Sequence, residues 1–163
     1  LLTADPDDVV VSVCAMSAEE IGHAMSRNWT MISSDGSSVR FGFGDVHPRS
    51  YGSFARFFAK YVREDRTVSF EKAIRMTSGL PAETLGLTDR GLLREGFAAD
   101  IVIFDPSVIQ DRASYLAPHQ YSSGLSFVLV NGQLAVDAGS PTGILAGQVL
   151  LRPAGRAPSA IPN

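Results

Sequence analysis

The sequence predicts an α/β fold class, with a mixed first half and a small all-β second half. A continuous β-branched run at residues 9–13, a helical pattern at 17–27 and an apolar run at 29–33 together predict a strand–helix–strand unit. A hairpin signal at Asn131-Gly132 marks the second half. The predicted division is an α/β part over residues 1–88, an all-β part over residues 89–152 and a tail over residues 153–163.

The helix of the first half has a complete start signal. Ser17 stands at the N-cap position, and Glu20 follows three residues later in the position that completes a capping box. Apolar residues then recur at helical spacing as far as residue 27. The apolar runs on either side have the composition of strands that are buried on both faces, as in a parallel sheet.

Three more helices are predicted after a long glycine-rich loop that runs from residue 34 to residue 52. The first carries an apolar stripe at α-helical spacing, formed by Phe54, Phe57, Phe58, Tyr61 and Val62. The second begins at Ser69 and is expected to stop at Ser78-Gly79. The third has Pro81 in its first turn and ends near Gly86. Because long loops in compact domains are often functional, the glycine-rich loop is a candidate site.

Short strands dominate the second half. They are predicted at residues 99–104, 127–130, 133–136 and 149–151. Asn131-Gly132 lies between the second and third of these strands, where it predicts a type I′ turn. The tail at residues 153–163 is rich in Pro, Ala and Ser and is predicted to be disordered.

The composition excludes several kinds of partner. The formal net charge is −3 and there is no basic run, so nucleic acid is not an expected partner. No stretch approaches the ~20 apolar residues of a membrane-spanning helix, so no membrane partner is expected. Charged residues make up 19% of the chain, which is slightly low and suggests that part of the surface is covered by other protein.

The beginning of the chain does not look like a natural N-terminus. It lacks Met, and Leu1-Leu2 leads straight into an acidic stretch at residues 5–8. A signal peptide would need a basic region and a longer apolar core. We therefore expect a cytoplasmic protein whose true N-terminus lies upstream of Leu1.

Asp35 is the strongest candidate for a catalytic group. It stands just past the C-terminal end of a predicted parallel strand, the edge at which barrel enzymes gather their catalytic residues. Gly36 lets the backbone turn away and leaves the carboxylate free. The same pattern is equally typical of a plain Asp-Gly turn or a helix N-cap, and the spacing alone leaves both interpretations open.

Arg49 is the second candidate, because it follows His47-Pro48 in the long loop. A guanidinium group in this position can hold a substrate carboxylate by two parallel hydrogen bonds. Pro48 would stiffen the backbone beside it. The alternative is an exposed loop with a surface arginine.

The other chemistry-bearing residues predict no separate centre. Cys14, the only cysteine, is interpreted as a small buried hydrophobe, and Met16 either lines a substrate pocket at the same edge or packs in the ordinary way. His23 is expected to be a solvated helix residue and His119 a loop residue. The three histidines share no ligand spacing, so the chain is predicted to carry no complete metal site of its own.

Five stretches carry motifs of a known enzyme family. A Ser-Asp-Gly run at residues 31–37 is followed by His-Pro-Arg-Ser-Tyr-Gly at residues 47–52. The remaining motifs lie at residues 76–87, 89–106 and 128–150. Together they resemble the D-aminoacylase (N-acyl-D-amino-acid deacylase) family of the amidohydrolase superfamily, over about residues 9–151. The Gly-x-x-Ala-Asp-Ile-Val pattern that begins at Gly96 is common to many amidohydrolases, whereas the first two motifs are specific to this branch.

The resemblance implies a larger enzyme, of which this chain is a C-terminal piece. Its fold would comprise the last strands and helices of a TIM-like (β/α)8 barrel followed by part of a small β-sandwich. A complete barrel needs ~250 residues. The remaining barrel portion is therefore the expected protein partner, and the chain is expected to be stable only beside it.

The resemblance also implies zinc-dependent hydrolysis of the amide bond of N-acyl-D-amino acids. Asp35 corresponds to the family's catalytic aspartate and is a possible zinc ligand, and Arg49 corresponds to the arginine that holds the substrate carboxylate. Met16 is expected to shape the pocket for the substrate side chain. The other zinc ligands of the family cannot be matched here and are expected mainly in the missing N-terminal part.

Two alternatives stay open. One is a cyclic-amide hydrolase of the hydantoinase or dihydroorotase type, and the other is a non-catalytic structural or assembly module of a barrel enzyme. The lack of metal-ligand spacing favours the module. The intact Ser-Asp-Gly and His-Pro-Arg motifs favour an enzyme.

Overall fold

Helices and strands occupy separate stretches of the chain in the computed structural model, which describes residues 15–151. The helical region contains α1 (Ala18–Met25), α2 (Arg49–Arg56), α3 (Phe70–Ile74) and α4 (Leu80–Leu85), with π-helical turns at Phe57–Glu64 and Arg75–Gly79. The sheet region contains β1 (Ile101–Phe104), β2 (Leu125–Val130), β3 (Gln133–Asp137) and β4 (Ser140–Pro141). No helix within residues 15–151 is long and apolar enough to cross a membrane.

Helix α1 confirms the predicted capping box. The Ser17 hydroxyl accepts a hydrogen bond from the Glu20 backbone N–H at 3.2 Å. In return the Glu20 carboxylate accepts one from the Ser17 N–H at 2.7 Å. These two bonds satisfy donors that the first helical turn cannot pair internally, which is why this helix could be predicted from local sequence.

The helix after the long loop begins earlier than predicted, at Arg49. Pro48 has the fixed φ that suits a first helical turn, and its carbonyl accepts a hydrogen bond from the Gly52 N–H at 3.0 Å. From Phe57 the winding loosens into a π-helix that ends at Glu64. The predicted apolar stripe is buried in part: Phe57 and Phe58 are buried, Tyr61 and Val62 pack against the core, and Phe54 is exposed.

The predicted stop at Ser78-Gly79 is wrong. Gly79 has a right-handed helical φ of −63°, and the chain runs through it from α3 into α4. A Cβ built on residue 79 would lie 3.7 Å from the Gly91 carbonyl oxygen, an ordinary van der Waals distance, so its described neighbours do not require a glycine here. The Gly91 oxygen accepts a hydrogen bond from the Ser78 hydroxyl at 3.0 Å. Helix α4 ends at Gly86, as predicted, where φ becomes 73°.

The four strands form one antiparallel sheet in the order β1-β2-β3-β4. Asn131 and Gly132 have φ values of 47° and 78°, so the predicted type I′ turn between β2 and β3 is confirmed. The predicted strand at residues 149–151 is wrong, because among residues 15–151 it pairs with no strand, and Val149 and Leu151 are largely exposed. Instead β4, only two residues long, completes the sheet.

The predicted strand at residues 29–33 is also wrong. Within residues 15–151 it forms no strand pairing. Its Ile32 N–H donates to the Met76 carbonyl at 3.2 Å, and its Thr30 hydroxyl donates to the Ala24 carbonyl of α1 at 2.6 Å. A buried parallel strand exists only between neighbouring strands. The partner predicted for it, at residues 9–13, lies outside the described residues.

One apolar core joins the two regions. Its buried members come mainly from the helices, with Ile109 added from the sheet side: Ala55, Phe57, Phe58, Val68, Ala73, Met76 and Ile109. Phe104 of β1 and Leu125 of β2 pack against this core. The sheet therefore packs against the helical core through Phe104 and Leu125.

Candidate functional site

The structure brings the two sequence-predicted candidates, Asp35 and Arg49, into direct contact. The Arg49 Nη2 atom lies 3.1 Å from the Asp35 Oδ2 atom. The Asp35 side chain is 83% exposed and that of Arg49 is 45% exposed. A carboxylate open to water thus stands beside a guanidinium group, although fourteen positions separate the two residues in sequence.

The backbone holds Asp35 in an unusual conformation. Its φ is 48°, in the left-handed region that costs a non-glycine residue roughly 1 kcal/mol. Two preceding hydroxyls support the turn: Ser33 accepts from the Asp35 N–H at 3.4 Å, and Ser34 accepts from the Gly36 N–H at 3.2 Å. Residues held in this region cluster at functional sites, so the conformation favours a role beyond a plain turn.

Gly36 presses this turn onto the start of helix α2. A Cβ on residue 36 would lie 2.9 Å from the Ser50 Cα atom, a distance that real Cβ atoms do not reach. The Ser50 hydroxyl also accepts a hydrogen bond from the Ser37 N–H at 3.3 Å. Since Arg49 is the first residue of α2, this contact explains how the carboxylate meets the arginine.

Residues 36–48, here called the site loop, are held by residues 114–121, here called the clasp. At the base of the loop, His47 Nδ1 accepts a hydrogen bond from the Arg49 N–H at 3.0 Å. The other ring nitrogen, Nε2, must then carry the proton of the neutral ring and donate to the Tyr115 hydroxyl at 3.0 Å. The two rings meet edge to face.

The tip of the site loop is held by His119. Its Nδ1 lies 2.9 Å from the Tyr51 hydroxyl and accepts from the Gly42 N–H at 3.1 Å, while Nε2 lies 2.8 Å from the Gly44 carbonyl oxygen. The sequence predicted only a loop residue here. No local pattern announces these bonds, because they join residues at least 68 positions apart.

Tyr51 donates one of those bonds from a partly enclosed position. Burial raises the pKa of its phenol above the usual range, and the neighbouring Tyr121 adds to the rise. The phenol therefore stays protonated, and able to donate, up to a more alkaline pH than an exposed tyrosine.

Two clefts lie near the Asp35–Arg49 pair; Arg49 lines the larger, and Asp35 lines neither. The larger, of about 830 Å³, runs between α2, α3 and β1 and includes Arg49, Phe54, Phe58, Leu92, Val102 and Phe104 in its wall. The smaller, of about 560 Å³, lies under the Asp-Gly turn and is lined by Ser34, Gly36, Ser37, Ser38, Val39, Ser50 and Tyr51. Ser34, Ser50 and Tyr51 border both clefts, whose volumes suit a small molecule.

Met16 and His23 are not brought to this pair. Met16 is 58% exposed and lines neither cleft. His23 lies on the exposed face of α1, as predicted, where its Nε2 contacts Arg27 Nη2 at 2.5 Å. Cys14 lies outside the described residues.

The described residues do not supply a metal centre. Between residues 15 and 151, no three side chains of the His, Cys, Asp or Glu type come close enough to hold an ion. Zinc in proteins takes three or four such ligands. Asp35 alone could contribute one, so the donor set present here does not fit a complete zinc site.

Comparison with known proteins gives consistent findings. A model of the amidohydrolase family matches residues 12–136. The chain is 39% identical over 135 residues to N-acyl-D-aspartate deacylase of Alcaligenes xylosoxydans xylosoxydans, covering 83% of this chain and 26% of that protein.

Solved structures agree with these relatives. The crystal structure of a D-aminoacylase, 34% identical, superimposes with a TM-score of 0.77 over 84% of this chain and 28% of that one. N-acyl-D-glutamate deacylase of Bordetella bronchiseptica, solved with zinc and a phosphonate mimic of the tetrahedral intermediate, is 36% identical with a TM-score of 0.68, over 77% of this chain and 27% of that one. The chain thus spans about a quarter of the length of the relatives it matches.

Proposed function

The chain belongs to the amidohydrolase family, in its D-aminoacylase branch, and from that premise we propose that it supplies the proton-transfer carboxylate and the substrate-binding arginine of an N-acyl-D-amino-acid hydrolase. The observation that carries the proposal is the contact between Asp35 and Arg49 at 3.1 Å, beside clefts that suit a small molecule. We propose Met16 as a pocket residue from the family resemblance alone.

The closeness of the pair fits the shape of the substrate class. In an N-acyl amino acid, the carboxylate and the amide nitrogen are attached to the same carbon atom. An enzyme that binds the carboxylate and protonates that nitrogen therefore needs the two groups side by side. Arg49 and Asp35 meet this requirement, and a planar guanidinium can hold the carboxylate by two parallel bonds.

Asp35 serves as the proton shuttle in this proposal. As a water oxygen bonds to the acyl carbon, the carboxylate accepts the proton of that water. The carbon–nitrogen bond then breaks, and Asp35 passes the proton to the departing nitrogen, giving a carboxylate and a D-amino acid. The 83% exposure of its side chain leaves room for both water and substrate.

Zinc is part of the proposal for the complete enzyme, although residues 15–151 do not fit a whole site. The support is the zinc in the Bordetella bronchiseptica relative. We propose that the other ligands lie outside the described residues, with Asp35 as at most one of the set.

The proposed place of the chain is at the C-terminal end of a larger enzyme. Residues 1–88 would belong to its barrel, and residues 89–152 to a small β-sandwich. The chain matches about a quarter of its relatives, and Leu92 and Leu93, which line the larger cleft, are 60% and 83% exposed. Such apolar exposure is expected where the remaining barrel portion docks.

The test is Asp35→Asn in the complete protein, assayed with N-acetyl-D-aspartate and N-acetyl-D-glutamate. We expect kcat to fall at least ~100-fold, the lower range for loss of a general acid–base group, while the melting temperature stays unchanged. Asp45→Asn, which alters an exposed aspartate of the same loop, is the matched control and should keep full activity.

Arg49→Lys separates binding from proton transfer. It retains the charge but loses the two-pronged geometry, so KM should rise about tenfold or more while kcat changes less. Full activity of Asp35→Asn would overturn the proposal. Turnover of hydantoins with none of N-acyl-D-amino acids would favour the cyclic-amide alternative.

A further inference from the structure

The clasp touches the site loop through side chains that the proposed chemistry does not use. His119 contacts three separate parts of the site: the Gly42 N–H, the Gly44 carbonyl and the Tyr51 hydroxyl. The first two lie at the tip of the site loop, and the third belongs to helix α2. A single imidazole ring therefore ties the loop to the helix that carries Arg49.

The three bonds fix the protonation state of the ring. The Gly42 N–H can only donate, so Nδ1 must be an acceptor, and the Gly44 carbonyl can only accept, so Nε2 must carry the proton. The Tyr51 hydroxyl also donates to Nδ1, so it shares the single lone pair of that nitrogen with the Gly42 N–H. Neither an aliphatic side chain nor a lysine could provide an acceptor and a donor in this arrangement.

Aromatic packing surrounds these bonds. Phe41 stacks on Tyr121 at 4.7 Å between ring centroids, and Tyr51 meets Phe41, His119 and Tyr121 edge to face at 5.6 to 5.9 Å. Phe41 comes from the site loop, Tyr51 from α2, and the other two rings from the clasp. Offset and edge-to-face ring pairs of this kind restrict the relative movement of the segments that carry them.

The cluster lies within reach of the substrate-binding residue. Tyr51 is two positions after Arg49 in the first turn of α2, and its backbone carbonyl accepts a hydrogen bond from the Ser122 hydroxyl at 3.1 Å. Ser122, the residue after the clasp, thus holds the first turn of α2. The Asp35-Gly36 turn, by contrast, is held by the Ser33 hydroxyl, which accepts from the Asp35 N–H, and by the Ser34 hydroxyl, which accepts from the Gly36 N–H.

We propose that His119 is a positioning residue, which fixes the site loop against the first turn of α2 and so holds Arg49 in the orientation that a substrate carboxylate requires. The part concerning Arg49 rests on the proposed function, whereas the restraint on the loop does not. Because Asp35 has separate supports, loss of His119 should weaken substrate binding more than proton transfer.

The loop restraint is tested first, by native-state digestion of the complete protein with trypsin. Arg40 lies in the site loop with its guanidinium over the Phe43 ring, and cleavage after it yields a fragment that begins at Phe41. We expect His119→Ala to speed this cleavage about tenfold, as measured by mass spectrometry. His23→Ala, which removes an exposed histidine of α1, is the matched control and should cut at the wild-type rate.

Steady-state kinetics on the same proteins test the effect on Arg49. His119→Ala should raise KM for N-acyl-D-amino acids about tenfold, on the scale of one lost hydrogen bond, with kcat falling less than threefold. Two amide variants separate the contacts. His119→Asn retains the acceptor at the Nδ1 position and His119→Gln retains the donor at the Nε2 position, so each should lie between wild type and His119→Ala.

The outcomes distinguish this inference from the proposed function. Unchanged cleavage after Arg40 in His119→Ala overturns the positioning role, whatever the activity. Faster cleavage with unchanged KM, or a kcat loss without a KM change, also overturns it. If the wild-type protein does not hydrolyse N-acyl-D-amino acids, the proposed function is wrong, while faster cleavage would still support His119 as the residue that holds the loop.

Discussion

The helical region and the sheet region bury their side chains to very different extents. Among residues 15–151, nearly all fully buried apolar side chains belong to the helices and the turns between them, whereas no residue of β1–β4 is fully buried. Val102 and Ile103 are neighbours on opposite faces of β1, yet they are 54% and 49% exposed. Both faces of that strand are therefore open to solvent.

This difference shows which region is self-sufficient. An antiparallel sheet commonly leaves one face in water, but it covers the other. Here Phe104 and Leu125 anchor one side of the sheet to the helical core, and the rest of β1 is left uncovered by residues 15–151. The helices carry their own core, and the sheet depends on its neighbours.

The largest expected effect on stability comes from a substitution that creates a cavity in the helical core. Met76 is 1% exposed, and Met76→Ala removes most of a fully buried side chain, which should lower the free energy of unfolding by about 2–5 kcal/mol. Val102→Ala, on the half-exposed β1 strand, should cost under ~1 kcal/mol. Urea denaturation of the complete protein measures both. Equal losses would show that the sheet is as well packed as the helices.

A smaller effect is expected at the polar contact between the loop after α4 and the β2–β3 hairpin. The Arg90 side chain is 13% exposed, forms an ion pair with Asp100 and donates to the Asn131 side chain at 3.1 Å. Arg90→Ala should cost about 1–2 kcal/mol, because Asp100 is partly exposed and regains water. Hydrogen exchange should quicken in β2 and β3 but not in α3. Arg94→Ala, on an exposed arginine, is the control, and uniform exchange would contradict a tie local to the sheet.

The smallest expected effect is a loss of local order on acidification, which should occur once in each region. The Ser17 backbone N–H and hydroxyl lower the pKa of Glu20 below 4.5, and the Ser107 hydroxyl and backbone N–H lower the pKa of Asp105 below 3.8. A carboxyl group whose pKa is lower in the folded state than in the unfolded state stabilises the fold at pH values above its unfolded-state pKa. That stabilisation is lost as the pH falls through the folded-state pKa. The protection factors of the Ser17 and Ser107 amides against exchange should therefore fall as each carboxylate is protonated, at a more acidic pH than for an unpaired carboxylate. Glu20→Gln should remove the step at Ser17 only.

Local sequence was sufficient wherever the physical cause was local. The capping box of α1 and the Asn131-Gly132 turn each depend on residues within four positions, and both were predicted correctly. The strand at residues 29–33 and the stop at Gly79 failed for the opposite reason. A strand depends on its neighbours, and the helix continues through Gly79 because the next turns bury Leu80 and Ala82.

The candidate site divides in the same way. Asp35 and Arg49 were singled out from sequence because they stand in recognisable motifs, although the ion pair between them could not be predicted from their spacing. His119 was missed, since its three partners lie in the site loop and α2. Only folding brings the His119 ring next to both the site loop and α2.

The π-helical winding at Phe57–Glu64 has a consequence for how this protein can vary in length. A π-turn holds about one residue more than an α-turn, so deleting one residue within this segment would restore α-helical winding and keep the later residues on the same face. The same deletion within α2 would rotate everything beyond it by about 100°. Natural length variation in this helix is therefore expected to fall after Arg56, where it leaves Arg49 and Tyr51 undisturbed.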